Sequence, residues 1–231
     1  MVSGKSDAYK ALSIKVRRKI LDLLMTCGPL DLEECSKIIG IKPITVRHHI
    51  RILEQAGLIE SFTLGREAPG RPRRYYKVIK RFVNLGFPVR RFDLLSQQAL
   101  SALISKTDAK EAERLLKVEA ERLGREMLKD LTIKHEVKTW NLENLKKFII
   151  PVLEQMGSYP SIKENSDKTL NLNFFNCIFY EVSKRFHPLI CCVHEAFLKP
   201  MMEAAGYVKE SHDSYLVKDA DYCSIKFKLK S

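Results

Sequence analysis

The stretch PITVRHHIRILEQAGLIES, Pro43 to Ser61, predicts a short helix with two unlike faces. Pro43 suits the first position of a helix, because its φ is already helical and its missing N–H would have no partner there. The apolar residues that recur at the helical period, and that we expect to pack inward, are Val46, Ile50 and Leu53. The side chains left on the outward face are Arg47, His48 and Arg51. Gly57 ends the helix.

A second helix precedes this one and is joined to it by a tight turn. Asp31 is a good cap for LEECSKII, which ends at Gly40. Before it, the run IKVRRKILDLLMTC has an apolar stripe typical of a core helix, and Ser13 is its expected cap. The order therefore predicts a core helix followed by a helix-turn-helix.

The residues after Gly57 change from helical to strand periodicity. LIESFTL alternates as a strand, GREAPGRPR is a basic loop rich in turn residues, and RYYKVIK is a second strand. The pair predicts a hairpin with a long charged tip, and the whole amino-terminal region predicts a winged helix-turn-helix.

The segments LSIKVRRKILDLL, TVRHHIRILEQAGLIES and GRPRRYYKV resemble the winged-helix domains of ArsR-like transcriptional regulators over roughly residues 8 to 80. A helix of this kind fits the major groove of B-DNA, where Arg and His donors meet guanine N7 and O6, and an Arg-rich wing suits the minor groove. A solvated face on a packing helix is the alternative. The predicted DNA contacts are Lys42, Thr45, Arg47, His48, Arg51, Arg66, Arg71, Arg73 and Arg74.

The charge is concentrated in the same region. Of the formal charge of +12, residues 1–91 contribute 19 Lys and Arg against 8 Asp and Glu, whereas residues 92–231 are nearly balanced. Such an excess attracts a polyanion, and double-stranded DNA is the expected partner, although an anionic membrane surface feels the same field. The sequence contains no run of 18 apolar residues and no signal-peptide pattern, so we expect a cytoplasmic protein without a membrane span.

We predict an α+β chain in three parts: a winged helix-turn-helix domain at 1–91, a helical connector at 92–135, and a sensor domain with an antiparallel sheet at 136–231. The connector alternates acidic and basic residues around an interrupted apolar face. A homodimer contact there is one interpretation, because a palindromic site is read by a two-fold dimer. Packing against its own chain is a second interpretation, and dimer contacts through the winged-helix domains are a third.

Four of the six cysteines lie in the third part. Cys177 follows a predicted strand, Cys191 opens a predicted helix, and Cys223 lies in the last predicted strand. Such positions can converge at one end of a sheet. Buried cysteines also occur simply as small apolar residues, which is our interpretation of Cys27 and Cys35.

The run NCIFYEVSKRFHPLICCVHEAFLKPMMEAAGY, followed by DADYCSIKFKL, is similar to the carboxy-terminal domain of the Suf-operon repressor family. The resemblance implies a redox sensor with an iron–sulfur cluster held by Cys177, Cys191 and Cys223. Soft sulfur ligands also suit zinc, and zinc binding or direct thiol oxidation without a metal are the alternatives. The fourth ligand is predicted to be His194, three residues after Cys191, with Cys192, His212 or a group from outside the protein as alternatives.

Two further hypotheses remain open. The sensor can instead be an apolar ligand pocket, with lining residues Phe174, Phe175, Phe179, Phe197 and Met201. A thiol redox enzyme using Cys191 and Cys192, with His194 as base, is the third hypothesis. The sequence contains no cofactor loop and no catalytic triad to accompany that pair, so we expect a regulator and not an enzyme.

Overall fold

The computed structural model describes residues 3–63, 72–79 and 90–230. The chain divides into two compact units, Met1–Arg90 and Arg91–Ser231. In chain order the elements of the first unit are α1 (Ser3–Leu12), α2 (Lys15–Cys27), β1 (Leu30–Asp31), α3 (Leu32–Ile39), α4 (Pro43–Gln55), β2 (Ile59–Thr63) and β3 (Arg74–Val78). The strands form an antiparallel sheet in the order β1-β3-β2. The predicted winged helix-turn-helix is confirmed.

The turn between α3 and α4 is built from local signals. Asp31 Oδ1 accepts hydrogen bonds from the backbone N–H groups of Glu33 and Glu34, at 2.9 and 2.8 Å. The Glu34 carboxylate accepts in return from the Asp31 N–H at 2.8 Å, which completes a capping box. Gly40 ends α3 with φ +77°, a conformation that glycine adopts without a Cβ clash. Both predicted helix ends are confirmed.

The start of α2 differs from the prediction. Ser13 does not cap this helix, because its hydroxyl donates to the Lys10 carbonyl at 2.8 Å. That carbonyl belongs to the last turn of α1, which was not predicted. Ala8 and Ala11 of α1 are buried against the core of the first unit. The Ser13 hydroxyl therefore hydrogen-bonds a carbonyl at the end of α1 and does not cap the N-terminus of α2.

The second unit contains both the predicted helical connector and the predicted α+β region. Its elements are α5 (Phe92–Lys106), α6 (Ala109–Lys134), α7 (Leu142–Asn144), a π-helical turn (Leu145–Ile149), α8 (Ile150–Gln155), β4 (Pro160–Glu164), β5 (Thr169–Phe174), α9 (Tyr180–Phe186), α10 (Leu189–Ala204), β6 (Tyr207–Ser214) and β7 (Cys223–Leu229). The four strands form an antiparallel sheet in the order β4-β5-β7-β6. The helices α5 and α6 belong to this unit.

The core of the second unit lies between the sheet and α10. Alternate side chains of β5, ending with Phe174, are buried together with Met201 of α10. The other side of α10 packs against α6 at very short range. A Cβ added to Gly124 of α6 would lie 2.2 Å from the carbonyl oxygen of Phe197. Only glycine therefore permits the observed approach of the two helices.

Candidate nucleic-acid interface and thiol cluster

The two faces of α4 are separated as predicted. The inward face is at most 1% exposed and consists of Val46, Ile50 and Leu53. These residues join the core of the first unit. The predicted readers are all exposed, namely Arg47, His48 and Arg51. The burial of one side therefore holds the other side in a defined orientation.

The outward face of α4 carries positive charge that the described residues do not neutralise. Within the described ranges, no ion pair involves Arg47 or Arg51. Nearby carboxylates are committed elsewhere, since Glu54 pairs with Arg74 and Glu60 with Lys77. Two unpaired guanidinium groups on successive turns of a helix can donate bidentate hydrogen bonds to an acceptor-rich surface such as a guanine edge.

The amino-terminal end of α4 is suited to an anion. Lys42 occupies the N-cap position and gives no side-chain cap, while its carbonyl accepts from Thr45 and Val46 at 2.9 and 3.1 Å. The first N–H groups of a helix lack intrahelical partners and carry the positive end of the helix dipole. Lys42 and Thr45 are both exposed beside them. This end of α4 can therefore bind a phosphate.

Sequence reasoning missed Ile44 on this helix. It lies between Pro43 and Thr45 and is 66% exposed, on the side of α4 away from the core. The helical period alone predicts that Ile44 lies on the outward face, because it places position 44 opposite the buried position 46. From here on, "reading face" denotes Ile44, Arg47, His48 and Arg51.

The wing is described only at its base. The predicted contacts Arg66 and Arg71 lie outside the described residues. Arg73 makes a 3.4 Å ion pair with Asp31, and Arg74 donates to the Ser61 hydroxyl at 2.6 Å. Both arginine side chains remain more than half exposed, at 73% and 60%. The partly exposed ion pair of Arg74 with Glu54 contributes about 0–1 kcal/mol, so it can be exchanged for a phosphate contact.

Three of the predicted sulfur ligands lie together in the second unit. The register of the sheet pairs Cys223 with Phe174, so Cys177 emerges from β5 at the end where β7 begins. Cys191 lies in the first turn of α10. Burial raises the pKa of Cys191 to about 12, and its neighbours Cys177 and Cys223 contribute further to that rise. We call these three residues the thiol cluster.

The other thiols of the cluster are also held in the protonated form. Burial is the main cause of the raised pKa of both thiols. The pKa of Cys223 reaches about 11, and that of Cys177 is also raised. The Leu216 N–H donates to the Cys223 sulfur at 3.2 Å, and the Cys177 sulfur lies 3.9 Å from the Ser183 hydroxyl. Protonated, buried thiols react slowly with oxidants and alkylating agents at neutral pH.

The nitrogen ligand predicted for the site lies in apolar surroundings. The His194 ring packs against Phe174 and Phe179, with centroid distances of 4.9 and 5.9 Å. Burial lowers the pKa of His194 to about 4, with a smaller contribution from His212. Cys192 points to a different place, a cavity between α6, α10 and the sheet.

Among the side chains that the structure describes, no group of three or more His, Cys, Asp and Glu is arranged to hold a metal ion. In the described arrangement the thiol cluster and His194 or Cys192 therefore do not form one ready ligand set for a metal ion. Since Cys192 and Cys191 are consecutive on α10, their side chains diverge by about 100°. The iron–sulfur and zinc assignments stay predictions.

The cavity that contains Cys192 has a volume of about 440 Å³ and mixes charge with apolar surface. Its rim carries lysines from three elements, each paired with a glutamate, as in the 2.9 Å pair of Lys199 with Glu121. The aromatic pocket predicted from sequence is a different region, where Phe174 and Met201 are at most 1% exposed and belong to the core.

Two protein-family models match the chain. Residues 15–61 match the bacterial regulatory protein, arsR family, and residues 95–228 match methanogen output domain 1. The second match covers more than half of the chain. The chain belongs to the methanogen output domain 1 family. The output domain, residues 95–228, contains the thiol cluster and the cavity, and the ArsR-family helix-turn-helix contains the reading face.

Solved structures with similarity to this output domain protein include two regulators. A possible transcriptional regulatory protein from Mycobacterium bovis (fragment 1–100) is 27% identical over 43% of this chain and 94% of its own, with a TM-score of 0.28. A transcriptional regulator homologue from Pyrococcus horikoshii OT3 is 18% identical over 45% and 98%, with a TM-score of 0.25.

A third structure is the trafficking protein particle complex subunit 3 from Naegleria fowleri, covalently bound to palmitic acid. It is 12% identical over 61% of this chain and 96% of its own, with a TM-score of 0.44. All three TM-scores lie below 0.5, so none of these structures bears on the assignment of function. No curated protein matches the chain.

The output domain protein is a DNA-binding transcriptional regulator with an ArsR-family helix-turn-helix domain. In the described part of the chain, no helix has the length and apolar character needed to span a membrane.

Proposed function

We propose that the protein binds operator DNA by placing α4 in the major groove, with Arg47, His48 and Arg51 directed to base edges. Lys42 and Thr45 contact phosphate at the helix start. The wing adds Arg73 and Arg74 and, outside the described residues, Arg66 and Arg71. The observation that supports this most strongly is the exposed charge of Arg47 and Arg51, which no carboxylate of the described residues pairs with, on a helix whose opposite face is buried.

Electrostatics and geometry make separate contributions to this proposal. The excess of basic residues before position 92 attracts any duplex and releases counterions, so affinity falls steeply with salt. The reading face supplies selectivity, because arginine pairs bidentately with guanine and each such pair discriminates by about 1–3 kcal/mol.

Arg47→Ala tests the proposal in the full-length chain. We expect affinity for the duplex selected from a randomised pool to fall about 5- to 150-fold, the range that corresponds to 1–3 kcal/mol, and base preference to relax at one position. Arg185→Ala is the matched control, because it removes the same charge from an exposed residue of α9. Equal effects of the two variants, or no salt-sensitive binding by the unmodified chain, would contradict the proposal.

We also propose that the output domain responds to redox state through the thiol cluster. Two of its thiols would form a disulfide, losing two protons and two electrons to an oxidant such as hydrogen peroxide, which is reduced to two water molecules. The support is the proximity of three thiols from three separate segments, namely the loop after β5, the first turn of α10 and the start of β7. Because burial keeps them protonated, we expect the reaction to be slow at neutral pH and faster in alkaline solution.

Anaerobic purification decides between this chemistry and the predicted cofactors. Colourless, metal-free protein whose DNA affinity changes after peroxide treatment supports the thiol mechanism, and mass spectrometry should then find a disulfide between two cluster cysteines. Brown protein that contains iron and acid-labile sulfide would contradict the thiol mechanism and support an iron–sulfur cluster. Stoichiometric zinc would contradict it and support a zinc site. Cys35→Ser is the control, because this buried thiol lies in the first unit.

A homodimer completes the proposed function, and we place its contact on α5 and α6. No residue of α5, all of which is described, is buried, although the helix is mostly apolar. Phe92 and Leu95 are 63% and 62% exposed, and Val118 of α6 is 55% exposed. A second copy would cover this surface. The dimer would then carry two reading faces, one for each half of a palindromic operator.

Light scattering on the full-length chain should give twice the chain mass. Leu95→Glu should reduce it to the mass of one chain, because a charge in an apolar contact loses its hydration without gaining a partner. Ile38→Glu, at an exposed apolar residue of α3, should leave the mass unchanged. A monomeric unmodified chain would contradict the proposed dimer.

A further inference from the structure

Ile44 lies in the middle of the reading face. At about 100° per residue, Ile44 is about 20° from Arg51 around the axis of α4 and about 160° from Val46. Arg47 and His48 are about 60° and 40° away on either side. An apolar side chain thus stands among the groups proposed to contact base edges, and directly opposite the buried side of the helix.

Nothing in the described fold requires an apolar residue at this place. Ile44 is 66% exposed, and it does not belong to the core of the first unit. Single exposed apolar residues are common on protein surfaces. This one, however, is in the first turn of the helix proposed to enter the groove, and the amino-terminal residues of such helices are the ones that contact bases.

The major groove offers one apolar feature to such a side chain. Among the four bases, only thymine projects a methyl group there, and the other groups that distinguish the bases in this groove are hydrogen-bond donors or acceptors. An isoleucine pressed against guanine or cytosine would strip water from polar atoms without replacing their hydrogen bonds. Against thymine it removes two apolar surfaces from water.

We infer that Ile44 reads a thymine in each half-site through its C5 methyl group, an inference that rests on the proposed function of α4. Ile44 and Arg47 are about 4.5 Å apart along the helix axis, since the rise is about 1.5 Å per residue. Base pairs are spaced about 3.4 Å apart. The thymine therefore lies about one or two base pairs from the guanine that Arg47 contacts.

Uracil substitution isolates this contact, because uracil differs from thymine only by the missing methyl group. The probe is the tightest duplex that the full-length chain recovers from a randomised pool, with each thymine replaced in turn by uracil. We expect replacement at one thymine per half-site to weaken binding about four-fold, or about 0.8 kcal/mol, the contribution of one buried methyl-sized group. Ile44→Ala should bind the thymine duplex more weakly and show no thymine–uracil difference at that position.

Ile133→Ala is the matched control, because Ile133 is 67% exposed and lies on α6 of the second unit. It should retain the full uracil effect. A uracil effect of the same size in Ile44→Ala, or none at any thymine in the unmodified chain, would overturn the inference while leaving the proposed function intact. If Arg47→Ala also leaves binding unchanged, the proposed function of α4 fails and the inference fails with it.

Discussion

Replacing Gly124 by alanine should destabilise the output domain, although alanine is the better helix former. Helix propensity alone predicts that alanine in the interior of α6 raises the free energy of unfolding by about 1 kcal/mol. The added Cβ would lie 2.2 Å from the Phe197 carbonyl oxygen, whereas carbon–oxygen contacts normally begin at about 3.3 Å. The helices must therefore separate by about 1 Å. Overpacking of this kind costs about 1–3 kcal/mol, and the upper end applies because a backbone atom cannot rotate away.

The expected net loss is about 2 kcal/mol, measured by urea denaturation. The single tryptophan, Trp140, reports on the output domain alone, since its indole N–H donates to Thr132 of α6 at 2.9 Å. Gly157→Ala is the control: φ is +89° with open space around it, so only the left-handed strain of about 1–2 kcal/mol is added. A Gly124→Ala midpoint equal to or above that of the unmodified chain would refute the close approach of α6 and α10.

Two more predictions concern stability. Because burial lowers the pKa of His194 to about 4, folding favours the neutral imidazole, and the stability of the output domain should be complete above about pH 6.5 and fall as the pH drops toward 4. Denaturation monitored at Trp140 should show a loss of about 2–3 kcal/mol between pH 7 and 4.5, reduced in His194→Gln; a flat profile would contradict the burial. In the first unit, Asp31→Ala should cost about 1–2 kcal/mol by removing the capping box, whereas Asp31→Asn keeps an acceptor oxygen and should lose less; circular dichroism of the full chain measures both, and equal losses would argue against the cap.

The winged helix-turn-helix was predictable because its decisive signals are local. Asp31, Gly40 and Pro43 each act within one turn of their own position, and the apolar period of α4 defines its two faces without reference to other elements. The same local reasoning failed at Ser13. A hydroxyl there can cap the following helix or satisfy the preceding one, and the choice depended on α1, whose small buried residues give a weak apolar signal.

The thiol cluster was only partly predictable for a related reason. The sequence predicted only that strand ends can converge at one end of a sheet, and the pairing of β5 with β7 in the structure is what brings Cys177 and Cys223 together. The surroundings of His194 depend instead on the rotation of α10 against the sheet. That rotation is decided by many side chains together, and it places His194 between Phe174 and Phe179, although it is spaced three residues from Cys191.

The thiol cluster is connected to the α6–α10 interface through a single helix, α10. Cys191 is in the first turn of α10, and two turns later the Phe197 carbonyl of the same helix meets Gly124 of α6 without space for one further atom. Packed interfaces of this kind shift between discrete arrangements and do not deform gradually. A disulfide at Cys191 can change DNA binding only if its formation favours one arrangement of α10 and α6 over another. The α6–α10 interface is therefore where the consequences of thiol oxidation should first be measurable, for example as a changed denaturation midpoint at Trp140.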